Sequence, residues 1–253
     1  MPAHSVRFRD PAGAVRTGRW VDGEPGADGR IVAAGRPYDP DADGVTLLAP
    51  CEPTKIVCVG RNYADHAAER DASVPDRPTL FLKPPSAVAS HGDAVPLLPD
   101  VQTDYEAELA VVIGEQSRNL SPEQATDAIA GYTCMVDLSN RDDQAREQNW
   151  VRGKAFDGAA PLGPVLAPPS SVPADAAIEL RVDGDRRQAA SRSDLVFSVP
   201  ELLVEITRYC TLEPGDVVAT GTPAGVGPLS PDETVAVTIE GVGTLCHTVT
   251  RPA

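Results

Sequence analysis

The apolar positions of this chain come in short runs, most of them too short for a helix. Residues 1 to about 50 offer "SVRFRD", "AVRTGRWVDG", "RIVAAG" and "VTLLAP", separated by turn-rich stretches such as "DPAG" and "VDGEPGADG". Runs of this length bounded by Gly, Pro and Asp predict a small β-meander. "CEPTK" marks a seam, which sets a small N-terminal β domain over residues 1–52 against a larger unit over 53–253.

In the larger unit "KIVCVG" predicts a buried strand ending at Gly60, "NYADHAAER" one or two helical turns, and "RPTLFLKPPSAV" an extended segment. "NLSPEQATDAIAGY" carries the marks of a helix: Ser121 at the N-cap, Pro122 at the first position, Gln124 closing a capping box and Gly131 as the stop. "YTCMVDLS" alternates as a strand with Asp137 near its end, and "AIELRVDGDRRQ" predicts a hairpin through Asp183-Gly184. "FSVPELLVEITRYC" is the clearest helix, with a Ser198/Glu201 capping box and Leu202, Ile206 and Tyr209 on one face. "DVVATGTPAGVGP" and "TVAVTIEGVGTLCHTVT" close the chain in β-structure. The pattern predicts an α+β fold that is mainly β, with short helices, rather than a doubly wound α/β fold.

One run raises a question of charge. "TDYEAELAVVIG" leads into a buried strand through Asp104, Glu106 and Glu108. Residues two apart on a strand share a face, so these three carboxylates point one way if the strand reaches back that far. A wet face would explain them, and so would a site for a hard cation such as Mg²⁺, which takes carboxylate oxygens.

Composition narrows the choice of partner. The 253 residues are 42% hydrophobic, enough for a core, and the formal charge is −15. Such a surface argues against nucleic acid or an anionic membrane as partner. Cys51, Cys58, Cys134, Cys210 and Cys246 form no C-x-x-C pair, so a disulfide framework and a zinc knuckle are not expected. No apolar leader segment opens the sequence and no run reaches transmembrane length, which leads us to expect a cytoplasmic protein.

Four polar stretches follow strand ends, where sites tend to lie. In "GRNYADHAAE", His66 and Glu69 are neighbours on a helix, and a carboxylate beside an imidazole suits a general base. Asp137, in "VDLSNRDDQ", is a possible third carboxylate for Glu106 and Glu108, with Arg141 and Gln144 on one face of any helix that follows. In "RGKAFDGAAPLGP", Lys154 stands in a segment poor in charge, where it could neutralise an anionic intermediate. "TGTPAGVGP" lacks the phosphate-loop pattern and fits a backbone cradle for a carboxylate better.

Taken in order, "GRNYADHAAE", "LFLKP", "YEAELAVVIG", "GYTCMVDLSNRD", "RGKAFDGAAPLGP", "LEPGDVVATGTPAGVGP" and "IEGVGTL" resemble the fumarylacetoacetate hydrolase family over about residues 53 to 249. The resemblance implies a mixed, partly rolled β-sheet, a homodimer, and Mg²⁺ or Mn²⁺ held by Glu106, Glu108 and Asp137. It makes His66 and Glu69 a catalytic dyad and Lys154 the active-site lysine, and sets Arg61, Lys83, Arg141, Gln144 and Thr222 near a small 2-oxo acid substrate. The implied reaction is C–C cleavage through an enolate, as an acylpyruvate (fumarylpyruvate)-type hydrolase or an oxaloacetate-type decarboxylase. Isomerisation (tautomerisation) of a 2-oxo or 2-hydroxy-dienedioate is the alternative. A catalytically silent ligand-binding relative should have lost a ligand or the dyad, and this sequence keeps them. Departures from the family pattern are Ser139, Asn140 and Asp143 around Arg141, Cys246-His247 in place of Arg-Asn, and a smaller "FDGAAP" loop.

Overall fold

The computed structural model describes residues 3–69 and 73–251. Its largest sheet has twelve strands. One end is the N-terminal meander, running from Arg36–Tyr38 through Arg30–Ala33 and Val15–Val21 to Ser5–Arg9. The sheet continues through Ala160–Ala167, Ile129–Val136, Ala107–Ile113, Val217–Ala219 and Ile56–Gly60 to Thr79–Lys83. The meander joins the rest where Ser5 pairs with Leu166. Most neighbours are antiparallel, but Val217–Ala219 runs parallel to Ile56–Gly60, so the sheet is mixed. A five-stranded sheet runs from Asp185–Ser191 through Ala177–Val182, Thr234–Ile239 and Gly243–Thr250 to Ala94–Pro96. Gly243–Thr250 lies across Ala160–Ala167 and Ile129–Val136, and the core fills the space between. Three short strands, Ser139–Asn140, Thr103–Tyr105 and Gly227–Pro228, form a third sheet. The fold is mainly β with short helices, as the apolar pattern predicts.

Five α-helices lie among the described residues: α1 Ala64–Glu69, α2 Pro122–Asp127, α3 Arg141–Arg146, α4 Val151–Lys154 and α5 Val199–Thr207. In α2 the Ser121 hydroxyl accepts from the Gln124 N–H while the Gln124 side chain accepts from the Ser121 N–H, the expected capping box. At α5 the Glu201 carboxylate accepts from both the N–H and the hydroxyl of Ser198. Burial of Val199, Leu202, Leu203 and Ile206 holds α5 down, each side chain contributing about 1.5–3 kcal/mol.

Two expectations fail at element ends. Gly131 does not stop α2 but sits inside the strand Ile129–Val136, where a Cβ would lie 2.4 Å from the Ala167 carbonyl oxygen. The glycine is there to let the neighbouring strand approach. Tyr209 lies beyond the end of α5 and is exposed; its hydroxyl accepts from Arg77 at 2.6 Å.

Candidate active site

The acids of "TDYEAELAVVIG" are not on a wet face. Asp104, Glu106 and Glu108 are 3%, 5% and 1% exposed, and every residue of Ala107–Ile113 is buried. The chain changes sheets within this stretch: Thr103–Tyr105 belongs to the three-stranded sheet and Ala107–Ile113 to the large one, leaving Glu106 at the corner between them. That corner divides the acids. Asp104 accepts from the Arg141 Nε at 2.7 Å and from Gln102 at 2.7 Å. Glu106 and Glu108 gather instead with Asp137, their candidate ligand oxygens all within 4.8 Å of one another. Strand register makes this meeting: Ala107 pairs with Val136, and the next N–H along, that of Asp137, donates to the Glu106 carbonyl at 2.8 Å.

The charge balance of this cluster is uneven. Lys154 closes α4 and is buried; its Nζ donates to Glu106 Oε2 at 2.8 Å, Asp137 Oδ2 at 2.7 Å and Ser139 Oγ at 2.5 Å. Arg141, at the start of α3, donates through Nη2 to Glu106 Oε1 at 2.5 Å and through Nη1 to Gln144 at 2.7 Å. Burial alone would raise the Glu106 pKa, but Lys154 and Arg141 outweigh it and hold the carboxyl well below its usual range. Burial likewise opposes the Lys154 charge, and Asp137 and Glu106 reverse the effect and keep the ammonium protonated. Glu108 makes no direct contact with a cation among the described residues, and the more distant Lys154 helps it too little. Among the described residues its partner is the Gly221 N–H at 2.7 Å, and burial together with repulsion from Asp137 and Glu106 pushes its pKa well above 4.5. Gly221 presents that N–H from a left-handed conformation (φ +101°), in which a Cβ would lie 2.8 Å from that of Asn62.

Three buried carboxylates whose oxygens converge, with no His or Cys among them, fit a hard divalent cation. Glu106, Glu108 and Asp137 are the residues that could hold it.

Above this cluster opens a cavity of about 420 Å³. Seven of the residues expected at the site line it: Arg61, His66, Glu106, Arg141, Gln144, Lys154 and Thr222, with Phe81 and Trp150 as apolar wall. His66 is buried on α1, and its Nδ1 lies 3.5 Å from Glu69 Oε2. Glu69 stands outside the cavity wall, its carboxylate held by the Gly225 N–H at 3.1 and 3.3 Å. Glu108 and Asp137 are buried and do not line the cavity. Lys83 departs from expectation. It does not line the cavity; it is fully buried, paired with Asp137 Oδ1 at 2.7 Å, and donates to the carbonyls of Leu138, Lys154 and Ala159. An ammonium so enclosed anchors α4 and Asp137 and has no donor left for a substrate.

The departures around Arg141 explain one another. The Asn140 side chain accepts from the Asp143 N–H at 3.2 Å and donates to the Asp143 carboxylate at 2.8 Å, a reciprocal cap that starts α3. Asp143 is therefore spent on the helix end and does not enter the cavity. Two buried polar residues at the site were not among the expected site residues: Ser139, noted only as a departure from the family pattern and accepting from Lys154, and Gln188, which donates to Thr222 and gave no sequence signal.

Residues 55–250 match the family model for the fumarylacetoacetate (FAA) hydrolase C-terminal domain. The chain belongs to the fumarylacetoacetate hydrolase family. It is 43% identical over 220 residues to the Bacillus subtilis oxaloacetate tautomerase YisK, covering 81% of this chain and 73% of that one. Among solved structures it is similar to a 5-carboxymethyl-2-hydroxymuconate delta-isomerase from Mycobacterium smegmatis, with 36% identity, 99% of both chains covered and a TM-score of 0.88. A fumarylpyruvate hydrolase from Pseudomonas aeruginosa, solved with Mn²⁺ and pyruvate, is 34% identical over 83% of this chain and 93% of its own, with a TM-score of 0.74. The family thus contains hydrolases, isomerases and tautomerases.

Proposed function

We propose that this chain is a divalent-metal-dependent enzyme that interconverts the enol and keto forms of a small 2-oxo dicarboxylate of the oxaloacetate type through its enolate. The observation that carries this reading is that one imidazole, His66, and two cationic side chains, Arg141 and Lys154, line the same small cavity. The tautomerase and isomerase names of similar proteins support it.

Mg²⁺ or Mn²⁺ at Glu106, Glu108 and Asp137 would supply Lewis-acid polarisation of the 2-oxo group. The chain's own residues do the rest. His66, oriented by Glu69, takes a proton from the carbon next to the 2-oxo group and delivers it to the enolate oxygen, and in the reverse direction takes it from the enol hydroxyl and delivers it to carbon, so that keto and enol forms exchange. Lys154 and Arg141 favour the negative charge of the enolate over the neutral ketone. Arg61, Gln144 and Thr222 orient the acid groups. Phe81 and Trp150 keep that face of the cavity dry.

A second reading, C–C cleavage, is favoured by the His66–Glu69 dyad and by the similarity to the fumarylpyruvate hydrolase. There His66 takes its proton from water, the resulting hydroxide attacks the distal carbonyl of an acylpyruvate, and pyruvate leaves as the enolate. Decarboxylation of oxaloacetate would use the enolate half alone. We assign these roles to residues 53–253, with 1–52 as an accessory β domain, in a cytoplasmic homodimer. The test follows the ultraviolet absorbance of enol-oxaloacetate with Mg²⁺, and the NMR spectra of oxaloacetate and acetylpyruvate under the same conditions. Accelerated loss of the enol without cleavage supports the first reading. Acetate and pyruvate formed from acetylpyruvate, with no acceleration of tautomerisation, replace it with the second.

A further inference from the structure

Gln188 lies on Asp185–Ser191, a strand whose other residues are exposed or half-buried, and is itself 1% exposed. The reason is local. Leu180 pairs with Gln188 but Arg181 pairs with Arg186, so Arg187 is an extra residue on this strand. A bulge of this kind re-aims the next side chain, here inward, toward the start of the strand Ala107–Ile113. The loop after Ala219 sits tightly on the bulge: a Cβ on Gly225 would lie 2.2 Å from the Arg187 carbonyl oxygen.

The Gln188 amide has three partners, and two of them fix which way round it sits. Its Oε1 accepts from the Ala107 N–H at 2.9 Å, between the two glutamates. Its Nε2 donates to the Pro223 carbonyl at 2.8 Å and to Thr222 Oγ1 at 2.9 Å. The Ala107 N–H can only donate and the Pro223 carbonyl can only accept, so the reversed amide would break both bonds. Nitrogen therefore faces Thr222, and the Thr222 hydroxyl must accept on that side. A hydroxyl that accepts from one neighbour keeps its own proton for another direction, and Thr222 lines the cavity.

We infer that Gln188 is a positioning residue that sets the polarity of Thr222, turning its hydroxyl into a hydrogen-bond donor aimed at an anionic oxygen of the substrate, a carboxylate of the 2-oxo acid. This rests on the cavity being the 2-oxo acid site proposed above. It also gives the buried amide a purpose beyond its own satisfaction: one side chain ties the backbone between Glu106 and Glu108 to the loop that presents Thr222.

Two measurements test it. The first is neutron diffraction of the wild-type protein after exchange into D₂O, which locates the hydroxyl deuteron. We expect deuterons on Gln188 Nε2 pointing at Thr222 and the Thr222 deuteron pointing into the cavity; a Thr222 deuteron pointing at Gln188 overturns the inference. The second is calorimetric affinity for pyruvate with saturating Mn²⁺. A hydrogen bond to a charged acceptor is worth roughly 10- to 100-fold in affinity, and Thr222→Val should lose about that much while Thr222→Ser keeps it. Gln188→Met, which can donate to neither Thr222 nor Pro223, should lose affinity in the wild-type background and nothing further in Thr222→Val. Independent, multiplying losses would mean that Gln188 acts as general support and would overturn the coupling. Failure of the wild-type protein to bind pyruvate would count against the proposed substrate class instead, and the deuteron position would still decide the polarity of Thr222.

Discussion

Glu108 is the residue on which the metal reading bears hardest. It is buried beside two other carboxylates with a backbone N–H and no cationic partner among the described residues. Glu108→Gln should therefore stabilise the metal-free protein, since it removes like-charge repulsion. About 1 kcal/mol of relief corresponds to a rise of roughly 2–4 °C in Tm for a chain of this size. The same substitution should abolish the increase in Tm that Mn²⁺ gives the wild-type protein, as measured by scanning calorimetry. A metal-free Tm that falls in Glu108→Gln would contradict the charge argument. His66 separates the two reactions. As the base at carbon, His66→Ala should lower kcat/KM for oxaloacetate tautomerisation roughly 10²–10⁴-fold. As the activator of water, it should cost acylpyruvate cleavage that factor and leave oxaloacetate turnover nearly intact. Glu69→Gln should act in the same direction more mildly, because the imidazole remains. Steady-state kinetics with both substrates in both variants distinguishes the cases.

At the scale of elements, the Gly243–Thr250 strand carries a pH-sensitive position. His247 is 1% exposed and falls on the same buried side as Leu245 and Val249. Burial pulls its pKa down to about 4 from 6.5, with only a weak contact to the Thr248 carbonyl opposing. A depressed histidine pKa means that the unfolded chain binds the proton more readily, so stability is full above pH 6.5 and falls as pH drops toward 4. The loss from this group reaches about 3 kcal/mol below pH 4. His247→Leu should flatten the fall in Tm between pH 6.5 and 4, and an unchanged slope would count against it. The elements themselves were largely legible. The run from Leu109 to Ile113 could only be a buried strand, and both capping boxes lie where Ser121 and Ser198 mark them. Gly131 misled because glycine serves equally as a helix stop and as a gap for a neighbouring strand, and only the approach of Ala167 tells which. Lys154 was recognisable as a misplaced charge, but its three partners lie 15 to 48 residues away. Lys83 read as a substrate contact because nothing in "LFLKP" reveals the three carbonyls that surround it. Gln188 was invisible, since its inward aim depends on the bulge at Arg187, and "GDRRQ" reads as an ordinary exposed strand.

For the molecule as a whole, no helix of the described residues is long and apolar enough to cross a membrane. With a formal charge of −15, assembly has to overcome net repulsion, so the proposed homodimer should be tighter at physiological than at low ionic strength. Light scattering at two salt concentrations checks this, and a monomer at both refutes it. The corner at Glu106 has a kinetic consequence. Glu106 and Glu108 cannot meet Asp137 until Ala107–Ile113 has zipped to Ile129–Val136, and Lys154 and Gly221 must then arrive from distant parts of the chain. The cation can bind only what has already been built. It should hence leave the refolding rate nearly unchanged and act almost entirely by slowing unfolding, as stabilising contacts absent from the transition state do. In stopped-flow experiments with and without Mn²⁺, the refolding limb of the chevron should superimpose and the unfolding limb should drop. For a cell, such an enzyme would gain lifetime rather than folding speed from its metal, and metal starvation would show first as faster turnover of the finished protein.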